Sequence, residues 1–535
     1  VALLASATAA LAAAPPAASK PYLSEITQVT IQTDKLVSQT NLRYASWNID
    51  SSANRGFFHI NFTNPNLLAA ASALRPSTIR FGGGGNDYLH YDVPTRGYCS
   101  VSNQTDSNSC LNVTHWENLY NLATQTDSEF IFGISFDKLA ACKGGEGYVW
   151  DPTQAKALIE YFRSHNQTIW AFELGNEINN LGAKKCKVGG GLQAQAFHSL
   201  SQLLHSIYPN PSERPKLVGP DSGYFAPRPW LADFLKNISA KFNSNDSIHA
   251  VTHHVYPGVN TIDFNNPKTL DRIKSDISWY VPTIRSLMPK AEIWAGENGP
   301  TGGGEDGTCG GHSACGTYAT TLWYADELGL RAKSGFVQHQ RQDLLGGRYG
   351  LLGIEHSNEA LGQAASVRLH PDFWVMYMWK RVMGTAVLNA TVTADSPNES
   401  LLRAYAHCGQ AVSPERAGSD SGSAAMISAV LINLSNTSSL FTSVDVTGDS
   451  EPHKQTSMTQ IWTLTPGEGG VFGLEVMLND KVLLDRVKDG EIPSHIPIEP
   501  KRVPTGQRLE LPAVSISFLL IPVVGNGNHL PKECS

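Results

Sequence analysis

Two glutamates stand where apolar, strand-like runs of the sequence end. Glu177 follows TIWAFEL within the stretch FELGNEINN, and Glu297 lies within IWAGENGPTGGG. Retaining glycosidases need two carboxyl groups about 5 to 5.5 Å apart, one as acid/base and one as nucleophile. A carboxyl beside apolar walls and a second carboxylate keeps its proton towards neutral pH, which favours Glu177 as the acid. The pair therefore predicts a carbohydrate-cleaving site, with Asn176 able to hydrogen-bond a sugar 2-hydroxyl.

Eight apolar, β-branched runs alternate with helical patterns and predict the elements that position these side chains. The runs are NLRYASWNI, STIRFG, EFIFGIS, TIWAFEL, KLVGP, HAVTHHVY, AEIWAGE and SGFVQHQ. This alternation predicts an α/β fold, a (β/α)8 TIM barrel over residues 37–384, with its active site at the C-terminal ends of the strands. Polar residues cluster at those predicted ends: Asp50, Asn86, Asp87, Glu177, Asp221, Tyr256, Glu297 and Gln342.

The two ends of the chain have a different texture from the predicted barrel. After residue 385, short alternating strands separated by Gly, Pro, Asn and Ser predict a C-terminal all-β sandwich over residues 385–535. Residues 21–36 read as a strand that joins this sandwich. Residues 1–20 resemble the tail of a secretory signal peptide and are excluded from the fold.

Composition and charge indicate which partners and which cellular location the sequence favours. The 535 residues carry a formal charge of −7 without a long basic run, which argues against nucleic acid as a partner. No apolar run reaches the 18 or so residues that a membrane span needs, so no stable membrane insertion is expected. Ten N-x-S/T sequons and the cysteine content favour a secreted, cell-wall, vacuolar or lysosome-like glycoprotein, with any membrane association peripheral.

The eight cysteines of an exported chain should mostly be paired. The sequence does not fix the pairing. Proximity favours Cys99 with Cys110 and Cys309 with Cys315, while Cys142 and Cys186 flank the strand and helix around FELGNEINN, which leaves Cys408 with Cys534. A metal site is disfavoured because no C-x-x-C pair and no H-E-x-x-H occurs, and neither a metal nor another cofactor is predicted.

Nearly the whole chain resembles glycoside hydrolase family 79 of clan A, which includes heparanase and plant heparanase-like β-glucuronidases. The resemblance rests on ordered segments that include STIRFGGGGNDYLHYD, FELGNEIN, LVGPDSG, THHVYPG, IWAGENGPTGGG and RQDLLGGRYGLL. It implies Glu177 as acid/base and Glu297 as nucleophile. It further implies that Asp50 binds sugar hydroxyls, that Tyr256 hydrogen-bonds the nucleophile, and that Gln342 lines the pocket.

The resemblance also implies how a uronic acid is held. Gly302, Gly303 and Gly304, with the Tyr349 hydroxyl, look like the carboxylate cradle of the family, since backbone N–H groups bind anions. A flexible loop is the alternative interpretation of the three glycines. His253 or His254 could also face the pocket, but strand alternation allows only one of them inward, and His254 is the one next to Tyr256.

The acidic chain and the short segment between HYDVPTRGYC and EFIFG favour a single-chain exo-β-glucuronidase. Its partner would be a small glucuronide or a uronic-acid-containing glycan. Endo-cleavage of the heparanase type stays an alternative, as does a carbohydrate-binding barrel without turnover. A serine hydrolase is disfavoured because GHSACG has Cys315 where the closing glycine of G-x-S-x-G belongs.

Overall fold

The described part of the chain begins at Ile26 and ends at Cys534. In the computed structural model it comprises residues 26–52, 57–93, 110–184, 186, 188–223, 228–241, 248–302, 314–346, 348–354, 365–394, 401–409, 425–447, 457–523, 531 and 534. Within these ranges, no helix has both the length and the apolar character that crossing a membrane requires.

Eight parallel strands of the described residues close into a barrel. Barrel strands 1 to 8 are, in chain order, Ala45–Asp50, Ser77–Gly82, Ser128–Ile134, Ala171–Leu174, Lys216–Ser222, Ala250–Val255, Glu292–Asn298 and Gln338–Arg341. Barrel strand 8 pairs with strand 1, as His339 and Ala45 illustrate, and this pairing completes the ring. Both faces of these strands are covered, which explains why their sequences read as nearly continuous apolar runs.

Side chains alternate between the inside and the outside of the barrel. Outward side chains such as Phe132, Phe172 and Ile293 belong to the main core between strands and helices. Their neighbours Ile131 and Trp294 belong to a small separate apolar cluster that fills the barrel interior. The polar inward side chains occupy the layer nearer the C-terminal ends of the strands, so the apolar layer supports the polar one.

Helices surround the barrel and follow its strands. The α-helices are Pro65–Ser72, Val113–Gln125, Lys138–Gly144, Thr153–Ser164, Gly190–Ile207, Arg228–Lys241, Pro267–Leu270, Arg272–Leu287, Ala319–Lys333 and Pro371–Val382. Short 3-10 helices span Phe57–His59, Gly84–Tyr88, Gly145–Gly147, Ile178–Lys184 and Gly470–Phe472. The helix Thr153–Ser164 buries Leu158, Ile159 and Phe162 against the strands, as its apolar spacing predicts.

The C-terminal domain is built on one sheet, to which eleven of the described strands belong. They are Ile26–Gln39, Met383–Ala394, Leu402–Gly409, Ala425–Asn433, Leu440–Val446, Met458–Pro466, Val476–Leu478, Lys481–Val482, Lys501–Pro504, Leu509–Leu511 and Ser515–Val523. Smaller sheets join His90–Asp92 to Cys110–Asn112, and Leu352–Ile354 through Val367–Leu369 to Arg486–Val487. The predicted fold class, a TIM barrel with a C-terminal all-β domain, is confirmed.

The first strand of the chain lies inside this C-terminal sheet. Ile26–Gln39 pairs antiparallel with Met383–Ala394 on one side and parallel with Leu440–Val446 on the other. Val29 and Ile31 are fully buried in the apolar core of the C-terminal domain, separate from that of the barrel. The N-terminal strand is therefore an interior member of a sheet whose other strands come from the far end of the chain.

Candidate active site

The backbone turns sharply between barrel strand 4 and Glu177. Gly175 has φ 78° and Glu177 has φ 51°, both in the left-handed region. A Cβ on Gly175 would lie 2.8 Å from atoms of Phe136 and Ile178, so only glycine fits here. The Glu177 N–H donates to the Asp221 carbonyl at 2.8 Å, which fixes the turn. The strand ends at a glycine because the chain must turn to aim Glu177 into the barrel mouth.

Glu177 and Glu297 meet at this mouth. One carboxylate oxygen of each and a ring nitrogen of His254 all lie within 4.8 Å of one another. The Glu177 side chain is 25% exposed, whereas that of Glu297 is 8% exposed. The separation is close to the spacing that retaining glycosidases use and shorter than the 6.5 to 9.5 Å of inverting ones. The geometry thus suits attack by one carboxylate and proton transfer by the other.

Glu297 is held from two sides. Arg80 Nη1 donates to its Oε2 at 3.0 Å, and the Tyr256 hydroxyl donates to its Oε1. Gly299 makes room for the Tyr256 ring, because a Cβ there would lie 2.6 Å from it. Donors on both oxygens fix the plane of the Glu297 carboxyl group. Glu297 is therefore oriented as a nucleophile requires.

Arg80, fully buried in barrel strand 2, organises the floor of the site. It donates to Glu173 at 2.7 Å, to the Asn176 Oδ1 at 3.0 Å and to Asp221 at 3.2 Å, besides Glu297. Burial lowers the pKa of Arg80, but the surrounding carboxylates outweigh this and raise it well above its usual value. A permanently charged planar guanidinium can satisfy several carboxylates at once. Arg80 thus links both candidate catalytic segments.

His254 lies between the two candidate catalytic carboxylates and a third acid. Its Nδ1 is 3.0 Å from the Glu177 Oε1 and 3.7 Å from the Glu297 Oε2, and its Nε2 is 3.3 Å from the Asp221 Oδ1. Burial lowers the pKa of His254, but Glu297 and the hydrogen bonds with Asp221 and Glu177 outweigh it and raise the pKa to about 10. The ring is therefore an imidazolium at neutral pH. Protonated on both nitrogens, it offers no lone pair to a metal ion.

The expectation that the site raises the pKa of Glu177 is wrong. Burial does raise this pKa, but the hydrogen bond and charge of His254, with the charges of Lys138 and Arg80, outweigh it and lower the pKa below its usual value. The Asn180 Nδ2 also donates to the Glu177 Oε2 at 2.8 Å. The carboxylate form is therefore favoured until a ligand changes the balance of charge.

Asp221 completes the buried network behind His254. Its Oδ1 accepts a hydrogen bond from the Thr252 hydroxyl at 2.7 Å. Burial raises the pKa of Asp221, but Arg80 and the hydrogen bond with His254 outweigh it and lower the pKa strongly. Glu173 behaves oppositely, because burial, together with Asp221, raises its pKa above the usual range despite Arg80. Asp221 is thus the anion that holds the His254 ring in place.

The other residues predicted to bind the sugar are Asp50, Gln342 and Asn176. Asp50 is 4% exposed, and its carboxylate accepts from the Ser52 N–H at 2.8 Å and from the Gln342 Nε2 at 2.7 Å. Asn48 donates in turn to the Gln342 Oε1 at 3.0 Å, so Gln342 holds Asp50 in place. Asn176, 5% exposed, accepts from Arg80 through Oδ1, which leaves its Nδ2 group as the donor suited to a hydroxyl.

The predicted uronate cradle is described only in part. Tyr349 is buried, and its ring centroid lies 6.3 Å from that of Tyr256. Gly302 is exposed, and apart from its chain neighbours no described residue has a heavy atom within 4 Å of where its Cβ would stand. Gly303 and Gly304 lie outside the described residues, so the cradle stays a prediction.

The side chains of His253 and His254 lie on opposite faces of barrel strand 6. His254 faces the site, whereas His253 faces outward, stacks on Tyr280 with ring centroids 4.4 Å apart and meets Arg331 at 2.9 Å. Burial and nearby positive charge, Arg331 first, lower the pKa of His253 well below its usual value. His253 is thus a neutral packing residue.

Two disulfides join described cysteines. Cys142 pairs with Cys186, which ties the helix Lys138–Gly144 to the segment after Glu177, and Cys408 pairs with Cys534. Cys110 and Cys315 are also disulfide-bonded. Their predicted partners, Cys99 and Cys309, lie outside the described residues, so these two pairings stay predictions.

Sequence reasoning missed Arg80 and Glu173 and gave Asp221 no role. The signal for Arg80 was an arginine in the middle of the apolar run STIRFG, because a charge buried in a strand needs carboxylate partners. Glu173, in the strand before Glu177, is buried against Arg80. Asp87 also matters, since its Oδ2 accepts from the Asn176 N–H at 2.9 Å.

Comparison with known proteins identifies the family. A family model described as glycosyl hydrolase family 79, N-terminal domain, matches residues 38–329, more than half of the chain. The chain belongs to glycoside hydrolase family 79. The matched residues contain the whole set of candidate catalytic side chains, from Arg80 to Glu297.

Relatives within family 79 are distant but nearly full-length. Heparanase-like protein 1 of Arabidopsis thaliana is 27% identical over 87% of this chain and 85% of its own. Heparanase of Gallus gallus is 26% identical over 86% of this chain and 88% of its own. Baicalin-beta-D-glucuronidase of Scutellaria baicalensis is 25% identical over 87% and 84%.

Solved structures show the same fold at lower identity. A family 51 arabinofuranosidase from Xanthomonas axonopodis pv. citri matches with a TM-score of 0.62 and 13% identity, over 93% of this chain and 100% of its own. A 4-O-alpha-L-rhamnosyl-beta-D-glucuronidase from Fusarium oxysporum matches with a TM-score of 0.60 and 15% identity, over 92% and 100%. The family 79 membership makes this chain a glycosidase, whose specific substrate these likenesses leave open.

Proposed function

We propose that this protein is a retaining exo-β-glucuronidase that releases terminal β-D-glucuronosyl units from small glucuronides or glycan side chains. The observation that carries the proposal is the pair Glu177 and Glu297, with carboxylate oxygens within 4.8 Å at the barrel mouth. That separation leaves no room for the water that an inverting enzyme places between its carboxylates and the sugar.

Glu297 is the nucleophile in this mechanism. Arg80 and Tyr256 keep it oriented, so an electron pair of its carboxylate attacks the anomeric carbon and forms the glycosyl-enzyme bond as the glycosidic bond breaks. The negative charge on Glu297 falls as the glycosyl-enzyme bond forms. The Tyr256 hydroxyl can keep its hydrogen bond during this step, because it donates to only one of the two carboxylate oxygens. Water then attacks the anomeric carbon from the face that the leaving group vacated, opposite the bond to Glu297, and breaks that bond, so two inversions give net retention.

Glu177 is the acid/base. It must carry a proton when the leaving-group oxygen departs, and two features of the proposal supply one. A bound glucuronate brings a further negative charge, which raises the pKa of a neighbouring carboxyl. The Glu177 side chain is 25% exposed, so it can take up a proton from solvent as that pKa rises. In the second step Glu177 takes a proton from the attacking water.

The preference for a uronic acid rests on the predicted cradle of Gly302 to Gly304 with Tyr349. Two relatives named above as β-glucuronidases, one by sequence and one by fold, support this substrate class. The net charge of −7 speaks against a long sulfated polymer in the cleft and so favours exo action. Endo-cleavage is the second candidate, because four vertebrate relatives, three mammalian and one avian, are named heparanase.

The test is a matched pair of substrates, 4-nitrophenyl β-D-glucuronide and 4-nitrophenyl β-D-glucoside, with heparan sulfate depolymerisation measured alongside. We expect the glucuronide to be hydrolysed with retention, the glucoside to be poor and the polymer to stay intact. Glu297→Gln should abolish turnover while the circular dichroism spectrum stays native. Preference for the glucoside, or chain shortening of the polymer, would refute the exo-glucuronidase assignment.

A further inference from the structure

Glu173 is a buried carboxyl group that the proposed mechanism does not use. It belongs to barrel strand 4 and is 1% exposed. Ala171, on the same face of that strand, is part of the apolar cluster in the barrel interior. Arg80 Nε donates to the Glu173 Oε2 at 2.7 Å. Glu173 therefore lies where the apolar interior of the barrel meets the floor of the candidate active site.

Glu173 and Asp221 share one edge of the Arg80 guanidinium. The Nε–H and Nη2 groups form that edge; Nε donates to Glu173, and Nη2 donates to the Asp221 Oδ2 at 3.2 Å. The two carboxyl groups also hydrogen-bond to each other. Two carboxylates cannot form such a bond, because an ionised carboxyl group only accepts. One of the two acids therefore holds a proton, as in other pairs of carboxyl groups at this range.

The charge of the whole network leads to the same conclusion. Its acids among the described residues are Glu173, Glu177, Asp221 and Glu297, and the cations that contact them are Arg80 and His254. The Lys138 ammonium is paired with Asp87 at 3.1 Å. Four ionised acids against two cations would leave an excess of two negative charges in a buried site, which is costly. A proton on one acid removes half of that excess.

The surroundings of the two acids indicate which of them holds the proton. Asp221 accepts from Arg80 and, at 2.7 Å, from the Thr252 hydroxyl, and the His254 Nε2 lies 3.3 Å from its Oδ1. These donors favour the ionised form of Asp221. Burial raises the pKa of Glu173, and together with Asp221 it outweighs Arg80. The proton therefore belongs to Glu173.

We propose that Glu173 is uncharged in the folded protein at neutral pH, donates a hydrogen bond to Asp221, and is thereby a positioning residue for the acid/base. Asp221 holds the His254 ring, whose Nδ1 lies 3.0 Å from the Glu177 Oε1. An uncharged donor fixes Asp221 without repelling it, whereas an ionised Glu173 would push Asp221 away from His254. The role in catalysis rests on the proposed function, because it takes Glu177 as the acid/base.

The experiment makes the same chemical change, from carboxyl to carboxamide, in each of the two acids. Glu173→Gln keeps the shape and the absence of charge, since the amide can accept from Arg80 and donate to Asp221. Asp221→Asn is the matched control, because it removes an ionised carboxylate from the other position on the same guanidinium edge. The readout is kcat/KM of the full chain as a function of pH on 4-nitrophenyl β-D-glucuronide.

We expect Glu173→Gln to lower kcat/KM by no more than about threefold, which corresponds to about half a pKa unit of interaction energy, and to leave the basic limb of the profile in place. Asp221→Asn should lower kcat/KM by about 100-fold, because His254 loses the anion that positions it. Equal losses in the two variants would overturn the proposal. So would a basic limb that moves to lower pH in Glu173→Gln, since removal of a negative charge lowers the pKa of a neighbouring acid.

A second measurement needs no enzyme activity. The pKa of Glu173 is raised in the fold from about 4.5 in the unfolded chain, so its proton stabilises the fold fully below about pH 4.5 and progressively less above it. Glu173→Gln lacks this loss. Its urea midpoint, measured relative to that of the wild type, should therefore rise between about pH 5 and pH 7.5. His254 titrates in both proteins, so its contribution cancels in the difference.

A difference in midpoint that stays constant or falls over this window would overturn the proposal, because an ionised Glu173 would carry the same charge in the folded and the unfolded chain. A Glu173→Gln chain that does not fold would also overturn it, since an uncharged isostere should replace an uncharged acid. Failure of the wild type to hydrolyse the glucuronide would refute the proposed function instead. The urea measurement then decides the protonation of Glu173 by itself.

Discussion

Replacing His254 by glutamine removes a positive charge from between Glu177 and Glu297. Burial raises the pKa of Glu177, and the hydrogen bond and charge of His254 at 3.0 Å are the first causes that outweigh it. Without the imidazolium, the two largest contributions that lower this pKa are lost while burial still raises it, so the pKa of Glu177 should rise. A hydrogen bond to a charged group contributes about 1.5–3 kcal/mol, which corresponds to a change of about one to two pH units.

The assay is kcat/KM as a function of pH on an aryl glucuronide with a poor leaving group. Such a substrate needs Glu177 protonated, so activity falls as pH rises through the pKa of Glu177 in the free enzyme. We expect His254→Gln to move this basic limb upward by about one to two units while lowering maximal activity. An unmoved or downward-shifted limb would refute the role assigned to His254.

His253 provides the control, because it neighbours His254 on the same strand but faces away from the site. It is fully buried and stacked on Tyr280, and its lowered pKa keeps it neutral at the pH of the assay. His253→Gln should therefore cost stability without moving the basic limb. A limb that moves equally in both variants would indicate a general disturbance of the barrel rather than the charge of His254.

Three further predictions follow from the same network. Glu177→Ala should slow poor leaving groups much more than good ones, and azide should restore turnover of a 4-nitrophenyl substrate; equal losses on both would remove Glu177 from the acid role. Arg80→Met should lower the free energy of unfolding in urea by about 3–5 kcal/mol, because it leaves buried carboxylates unpaired, and a loss below 1 kcal/mol would contradict this. Because the pKa of His254 is about 10 in the fold and about 6.5 unfolded, its charge stabilises the fold fully below pH 6.5 and progressively less up to pH 10. The free energy of unfolding measured in urea should fall over that window by up to about 1.4 kcal/mol per pH unit. His254→Gln should reduce this dependence on pH.

The barrel and its carboxylate pair could be predicted because they follow from local periodicity. Apolar runs at regular spacing fixed the strand count, and strand ends then placed Glu177 and Glu297 at one mouth. Alternation along HAVTHHVY separated His254 from His253 for the same reason. Each of these inferences needs only the geometry of one strand and the topology of a barrel.

The electrostatics of the site could not be predicted in this way. The pKa of Glu177 depends on an imidazolium that comes from a strand two positions around the barrel, and its lowered value reversed the expectation. Arg80 reaches Glu173, Asn176 and Asp221 across the barrel interior, and no spacing in the sequence encodes those distances. Contacts between strands that are far apart in sequence determine the charges of the site residues. Periodicity predicts only the position of each residue on its strand.

The position of the strand Ile26–Gln39 affects how the chain folds during its synthesis and how it tolerates truncation at the N-terminus. The ribosome releases this strand before the barrel, yet Thr27 bonds Phe441, 414 residues later. The apolar Val29 and Ile31 must stay unpaired, or chaperoned, until the C-terminal strands emerge. Removal of the N-terminus would open a gap between Met383–Ala394 and Leu440–Val446 and expose two unsatisfied strand edges. Truncated forms of the protein that begin at the barrel should therefore aggregate through their C-terminal domain, far from the residues that were deleted.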